Sequence, residues 1–88
     1  MKIAIVDDDV QDTDRLTAFL TEWSEEHHQN FSVTVFHKSA DFLNTLETAR
    51  YSLVFMDIYM GPPSGIDTAL KLREKDSHTV LIFLTGSL

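Results

Sequence analysis

The chain reads as an α/β protein built on a parallel sheet. Short apolar runs alternate along its length with segments of helical period, the pattern of successive β-α units. Two of these runs, Ile3–Val6 and Leu53–Met56, end directly in carboxylates, Asp7-Asp8 and Asp57. A further run, Val80-Leu81-Ile82-Phe83-Leu84, is apolar without interruption, as in a strand covered on both faces.

Each element has its own warrant. Ile3–Val6 is the first strand, and Asp9 is suited to cap the helix that follows it. In that helix Leu16, Phe19, Leu20 and Trp23 fall at i, i+3, i+4 and i+7, so Trp23 is assigned to the core. His27 and His28 adjoin its end, where a cationic imidazole is mildly favoured, whereas His37 and His78 read as turn residues; none of the four reads as a metal ligand. Phe31–Phe36 alternates as a second strand. Ser39 can cap a second helix with the apolar stripe Phe42, Leu43, Leu46 and Ala49. After the third strand, Leu53–Met56, comes Ile58-Tyr59-Met60-Gly61-Pro62-Pro63-Ser64-Gly65, a loop in which Pro fixes φ and Gly permits close backbone approach. Ile66, Ala69 and Leu70 form the buried stripe of a third helix, and Lys71, Arg73, Glu74 and Lys75 its solvated face. The fourth strand, Val80–Leu84, places the Thr85 hydroxyl at a strand end; Ser87 reads as a turn residue.

The 88 residues are enough for one small domain. A formal net charge of −7 argues against this segment gripping nucleic acid, which calls for clustered Lys and Arg. With no cysteine, disulfides, thiolate metal sites and Cys nucleophiles are excluded. Lys2 precedes only four apolar residues before Asp7, too few for a signal core or a membrane span, so no membrane contact and a cytoplasmic location are expected.

Ligands of parallel α/β sheets sit beyond the carboxyl ends of the strands, so Asp7, Asp8 and Asp57 should converge. Three carboxylates in a partly desolvated pocket repel one another until protonated or neutralised by a cation. An all-oxygen set suits Mg2+, which keeps several waters and accepts phosphate oxygens. The expected chemistry is Mg2+-assisted phosphoryl transfer.

Ile3-Ala4-Ile5-Val6-Asp7-Asp8-Asp9, Asp57-Ile58-Tyr59-Met60 with Gly65 following, and Leu84-Thr85-Gly86 together resemble the signatures of response-regulator receiver domains, over the whole chain. The resemblance implies a flavodoxin-like parallel sheet, here incomplete, with about four strands and three helices. It makes Asp57 the phosphoacceptor, Asp8 and Asp57 direct Mg2+ ligands, Asp7 a ligand acting largely through water, the Tyr59 main-chain carbonyl a further ligand and Thr85 the switch hydroxyl. It also implies a sensor histidine kinase or phosphotransfer protein as partner, docking around Gln11 to Arg15 and the loop after the last strand. The domain is then a signalling phosphoacceptor with weak self-catalysed phosphotransfer, not a dedicated enzyme.

Two departures from the family pattern matter. Gly61 stands where the family usually has Pro, and Pro62-Pro63 follow. A complete receiver continues past its switch strand with a helix, a fifth strand ending in a phosphoryl-contacting Lys, and a final helix; residues 1–88 therefore read as a receiver truncated at its C-terminus, a fragment of a longer regulator. None of Lys2, Lys38, Lys71 and Lys75 matches that Lys by motif. Val80–Leu84 would then be an apolar edge, which predicts a dimer or higher oligomer paired through it. Two other classes stand beside the phosphoacceptor: a receiver-like interaction module no longer competent for phosphorylation, and an Asp-nucleophile hydrolase of haloacid-dehalogenase type, which Tyr59 disfavours by occupying the position of the second Asp. The stretch Asp57–Met60 is similar to receivers that precede LytTR-type DNA-binding domains, which makes the parent a transcription regulator by expectation.

Overall fold

In the computed structural model, which describes residues 1–85, seven elements alternate strictly. They are β1 (Lys2–Val6), α1 (Val10–Glu26), β2 (Ser32–Phe36), α2 (Ser39–Thr45), β3 (Leu53–Asp57), α3 (Gly65–Lys75) and β4 (Val80–Leu84). The four strands form one parallel sheet in the order β2-β1-β3-β4, the order of a flavodoxin-like sheet. Since β1 and β3 are adjacent, their carboxyl ends lie side by side, in register from Ile3↔Leu53 to Val6↔Met56.

Side chains alternate across the pleat, so β1 serves both faces of the sheet. Ile3 and Ile5 pack with Leu20, Leu16, Phe31, Val33, Val35, Leu53 and Phe55 on the α1 face. Ala4 and Val6 pack with Phe42, Leu46, Val54, Met56, Met60 and Leu72 on the face covered by α2 and α3. Tyr51 closes the bottom of this second layer, edge-on to Phe36 and hydrogen-bonded to the Thr45 hydroxyl at 2.7 Å.

Side-chain caps close the N-termini of two of the three helices, α1 at Asp9 as expected and α3 at Ser64, which the sequence pattern assigns to the preceding loop. The Asp9 carboxylate accepts from the amides of Gln11 at 2.9 Å and Asp12 at 3.2 Å, and the Ser64 hydroxyl accepts from Asp67 N–H at 3.1 Å. Ser39 does not cap α2. Lys38 occupies the cap position without a side-chain bond, and Ser39 is instead buried as the first helical residue, its hydroxyl donating to the Pro63 carbonyl at 3.3 Å. The second helix also stops at Thr45, which leaves Leu46 at its C-cap and Ala49 beyond it.

Three further expectations are corrected. Trp23 is 37% exposed and Phe19 61%, because α1 alone covers its face of the four-stranded sheet and no further element among the described residues packs over the outer side of its apolar stripe. Trp23 shields itself by stacking on His27 at 4.0 Å and Phe31 at 5.5 Å between ring centroids. In α3 the buried stripe is Gly65, Thr68, Ala69 and Leu72, rotated from the predicted one, and Ile66 and Leu70 instead border an open groove with Leu81 and Phe83. Consequently β4 is not covered on both faces: Val80, Ile82 and Phe83 are all exposed, and its outer edge carries no strand among the described residues.

Candidate functional site

The parallel ladder delivers the carboxylates. Asp57 is the last residue of β3, and Asp7 directly follows β1, its amide extending the β1–β2 ladder by one bond to the Phe36 carbonyl at 3.0 Å. One ligand oxygen from each of Asp7, Asp8 and Asp57 lies within 4.8 Å of the others. Asp7 and Asp57 are buried, at 3% and 6% exposure, while Asp8 is open to solvent. The group is therefore an acidic cup with two fixed walls and one exposed arm.

Local hydrogen bonds fix the two buried members. The Asp7 carboxylate accepts from Asp9 N–H at 2.9 Å, and the Asp57 carboxylate accepts from Tyr59 N–H at 3.0 Å. The chain after Asp57 is tied to both neighbours: Ile58 N–H donates to the Leu84 carbonyl of β4 at 3.1 Å, and Gly65 N–H donates back to the Ile58 carbonyl at 3.3 Å. At Gly65 a Cβ would run into the main-chain carbonyl of Asp57, so only glycine lets α3 begin against the end of β3.

Burial pushes the Asp7 carboxyl up from 3.8 to about 6; the Asp9 amide opposes this, and the negative charge of Asp57 and of Asp12 adds to it. A carboxylate held out of water beside other carboxylates is short of positive charge. An all-oxygen donor set in that condition fits a hard divalent cation with retained waters, Mg2+ before Zn2+ or a soft metal.

The remaining predicted residues are distributed around this cup. Tyr59 turns its ring outward, 73% exposed, and meets the site through its backbone. Thr85 is exposed immediately after β4, whose last rung pairs Leu84 with Asp57. Asp12 and Arg15, from the suggested docking stretch Gln11–Arg15, line a groove next to Asp7 together with Leu16 and Leu84. Ser87 and the loop after the last strand lie outside the described residues.

On the opposite side Asp8 borders a groove with His37, Lys38, Ser39 and the Met60–Pro63 loop. Here sequence reasoning missed a residue: His37, taken for an ordinary turn residue, places its ring Nδ1 3.0 Å from the Asp7 carbonyl oxygen. The legible signal was its position, first after the strand that flanks β1. No helix of the described residues is long and apolar enough to cross a membrane.

Comparison with known proteins agrees with this geometry. The uncharacterized transcriptional regulatory protein YkoG of Bacillus subtilis is 32% identical over 77 residues, covering 88% of this chain and 33% of its own length. The chain spans about a third of the length of the curated relatives it matches. A CheY-like response regulator receiver domain protein from Methanospirillum hungatei superposes with a TM-score of 0.83 at 22% identity, over 99% of this chain and 65% of that one. Response regulator TrrA of Thermotoga maritima, in complex with Mg2+-BeF, superposes at 0.82 with 26% identity, over 98% of this chain and 70% of that one. TrrA has also been solved in complex with the histidine kinase ThkA, where it superposes at 0.68. Residues 3–88 match the family model described as the response regulator receiver domain, and the chain belongs to that family.

Proposed function

We propose that this domain is the phosphoacceptor module of a two-component response regulator, with Asp57 as the residue phosphorylated. The observation that carries this reading is the convergence of Asp7, Asp8 and Asp57 within 4.8 Å at the carboxyl ends of β1 and β3. One Asp57 oxygen is held by the Tyr59 amide, which leaves the other to attack phosphorus in line. A P–O bond forms to Asp57 as the P–N bond to the donor's phosphohistidine breaks, the electron pair leaves on the imidazole nitrogen, and the product is an acyl phosphate. Asp8 and Asp57 would hold Mg2+ directly, Asp7 through water, and the Tyr59 carbonyl would add a ligand; the ion supplies charge neutralisation on the transferring oxygens. Chemistry of this kind is mainly positioning, so small phosphodonors also serve and the domain catalyses its own modification.

Downstream, the Thr85 hydroxyl is the proposed switch, a donor at the strand end next to Asp57 that a phosphoryl group would draw in. The partner is a sensor histidine kinase or phosphotransfer protein in the cytoplasm, a reading supported by the ThkA complex of TrrA. The parent protein is a transcription regulator, as YkoG is described. The apolar outer edge of β4, with Val80 57% and Ile82 43% exposed, favours self-association through that strand.

The test is intact mass after incubation with acetyl phosphate and Mg2+, beside an Asp57→Ala control. A single phosphoryl adduct that vanishes in the control is the expected result. An unmodified wild-type chain would instead favour the receiver-like interaction module.

A further inference from the structure

We propose that His37 is a positioning residue for the acidic site: its imidazole holds the peptide unit that joins Asp7 to Asp8 and so aims the Asp8 carboxylate. The proposal rests on the Mg2+-binding reading of the site given above.

The β1–β2 ladder runs from Lys2↔Ser32 to Val6↔Phe36, and its last rung is Asp7 N–H to the Phe36 carbonyl. The next acceptor on the β1 side is the Asp7 carbonyl. By then β2 has ended and the chain is turning toward α2, which begins at Ser39. The His37 side chain takes the place of the missing ladder amide, with Nδ1 at 3.0 Å from the Asp7 oxygen. A carbonyl oxygen can only accept, so the proton of this bond sits on Nδ1. In the neutral ring, Nε2 then carries the lone pair.

The consequence for Asp8 follows from peptide planarity. The Asp7 carbonyl and the Asp8 amide belong to one rigid plane, so pinning that oxygen restricts ψ of Asp7 and φ of Asp8 together. Asp7 and Asp57 have tethers of their own, from the Asp9 and Tyr59 amides. Asp8 is exposed, and among the described residues its carboxylate accepts no hydrogen bond, so the backbone that carries it fixes where its Cα–Cβ bond points and leaves only the choice among its side-chain rotamers. Partners that orient the ligands of a metal commonly govern affinity by about tenfold or more when removed.

The test compares Mg2+ binding by calorimetry in the unmodified chain and in His37→Asn, His37→Gln and His37→Ala, each below its own unfolding midpoint. The Asn amide nitrogen stands as many bonds from Cα as Nδ1 does, whereas the Gln amide reaches as Nε2 would. The proposal expects His37→Asn to bind within about twofold of the unmodified chain, and His37→Gln and His37→Ala to bind about tenfold more weakly. Nitrogen-15 spectra of the metal-free chain should show the proton of the neutral His37 ring on Nδ1. Equal affinity in all four chains, or a neutral ring protonated on Nε2, overturns the role of His37 and leaves the metal site standing. An unmodified chain that takes up no Mg2+ overturns the metal reading itself, and the role of His37 with it.

Discussion

Gly65 stands against the main-chain carbonyl of Asp57, at a separation no Cβ can share. This contact lets the first turn of α3 close over the end of β3, and it joins the site's central carboxylate to the helix behind it. Replacing the glycine must move one of the two, and both are main chain. Gly65→Ala is expected to cost about 2–3 kcal/mol by overpacking, read as a lower urea midpoint. It is also expected to weaken Mg2+ binding, because the displaced partner carries Asp57. Unchanged stability would show that the α3 start yields freely.

The buried Asp7 makes stability depend on pH in a direction unusual for a carboxylate. Its folded pKa, about 6, lies above the ordinary 3.8, so between these values the folded chain binds more protons than the unfolded one. Without Mg2+, this group's contribution is full below about pH 4 and is lost as pH rises through 6. Glu47 and Asp76 are shifted downward, Glu47 by Lys75 and Asp76 by the Thr79 hydroxyl, so they oppose this trend only at lower pH. Asp7→Asn should stabilise the metal-free chain at pH 7 by on the order of 1 kcal/mol and flatten its profile between pH 5 and 7, roughly the span of the shift. Thermal unfolding across that range decides the matter, and a steeper fall in the variant would count against it.

Mg2+ should show the complementary behaviour. A cation that binds the ionised cluster of the folded chain competes with the proton on Asp7 and raises the unfolding midpoint by mass action. The increment is expected at pH 7.5 and should fade as pH falls through about 6, where Asp7 takes up its proton. Ca2+ should substitute poorly, since the cup offers few protein oxygens for its larger coordination shell. A midpoint that Mg2+ leaves unmoved at pH 7.5 would remove the metal from the proposed function.

Most of the fold was legible because period and punctuation agree along this chain. Asp9 caps its helix as its position predicts, and Asp7, Asp8 and Asp57 follow apolar runs that become adjacent strands. What periodicity does not carry is whether anything stands opposite an apolar stripe. Phe19, Trp23, Ile66 and Leu70 have the same spacing as core residues, and all four are exposed because no further element packs over them among the described residues. Ser39 was misread by one position: its hydroxyl satisfies the Pro63 carbonyl across the groove, a long-range demand that overrides the local cap preference. His37 escaped notice because its partner, the Asp7 carbonyl, is thirty residues away and belongs to the backbone.

Thr85 separates phosphorylation from its consequence. It follows the Leu84–Asp57 rung, is exposed, and on the proposed reading contacts the phosphoryl group only after transfer. Thr85→Ala should therefore take up phosphate from acetyl phosphate at a rate within about threefold of the unmodified chain, a difference below 1 kcal/mol in barrier. Amide exchange in β4 should then lose its response to phosphorylation. A variant that still transmits the change to β4 would assign the switch to another group.

The β4 edge yields the last prediction. Val80, Ile82 and Phe83 are exposed on an outer strand five residues long, flanked on one face by the groove between Ile66, Leu70 and Leu81. Apolar strand edges of this kind pair with other chains, and a lysine on such an edge strand is an effective block. The 88-residue chain should sediment with a mass that rises with concentration toward at least twice 10.0 kDa. Ile82→Lys should return it to the monomer mass with little loss of stability, since the side chain is already 43% exposed. Net charge works against association: each chain carries −7, so low salt should weaken the dimer and salt near 0.5 M strengthen it by screening. Association that persists unchanged in Ile82→Lys would move the contact to the overhanging aromatic face of α1, where Phe19→Lys becomes the informative substitution.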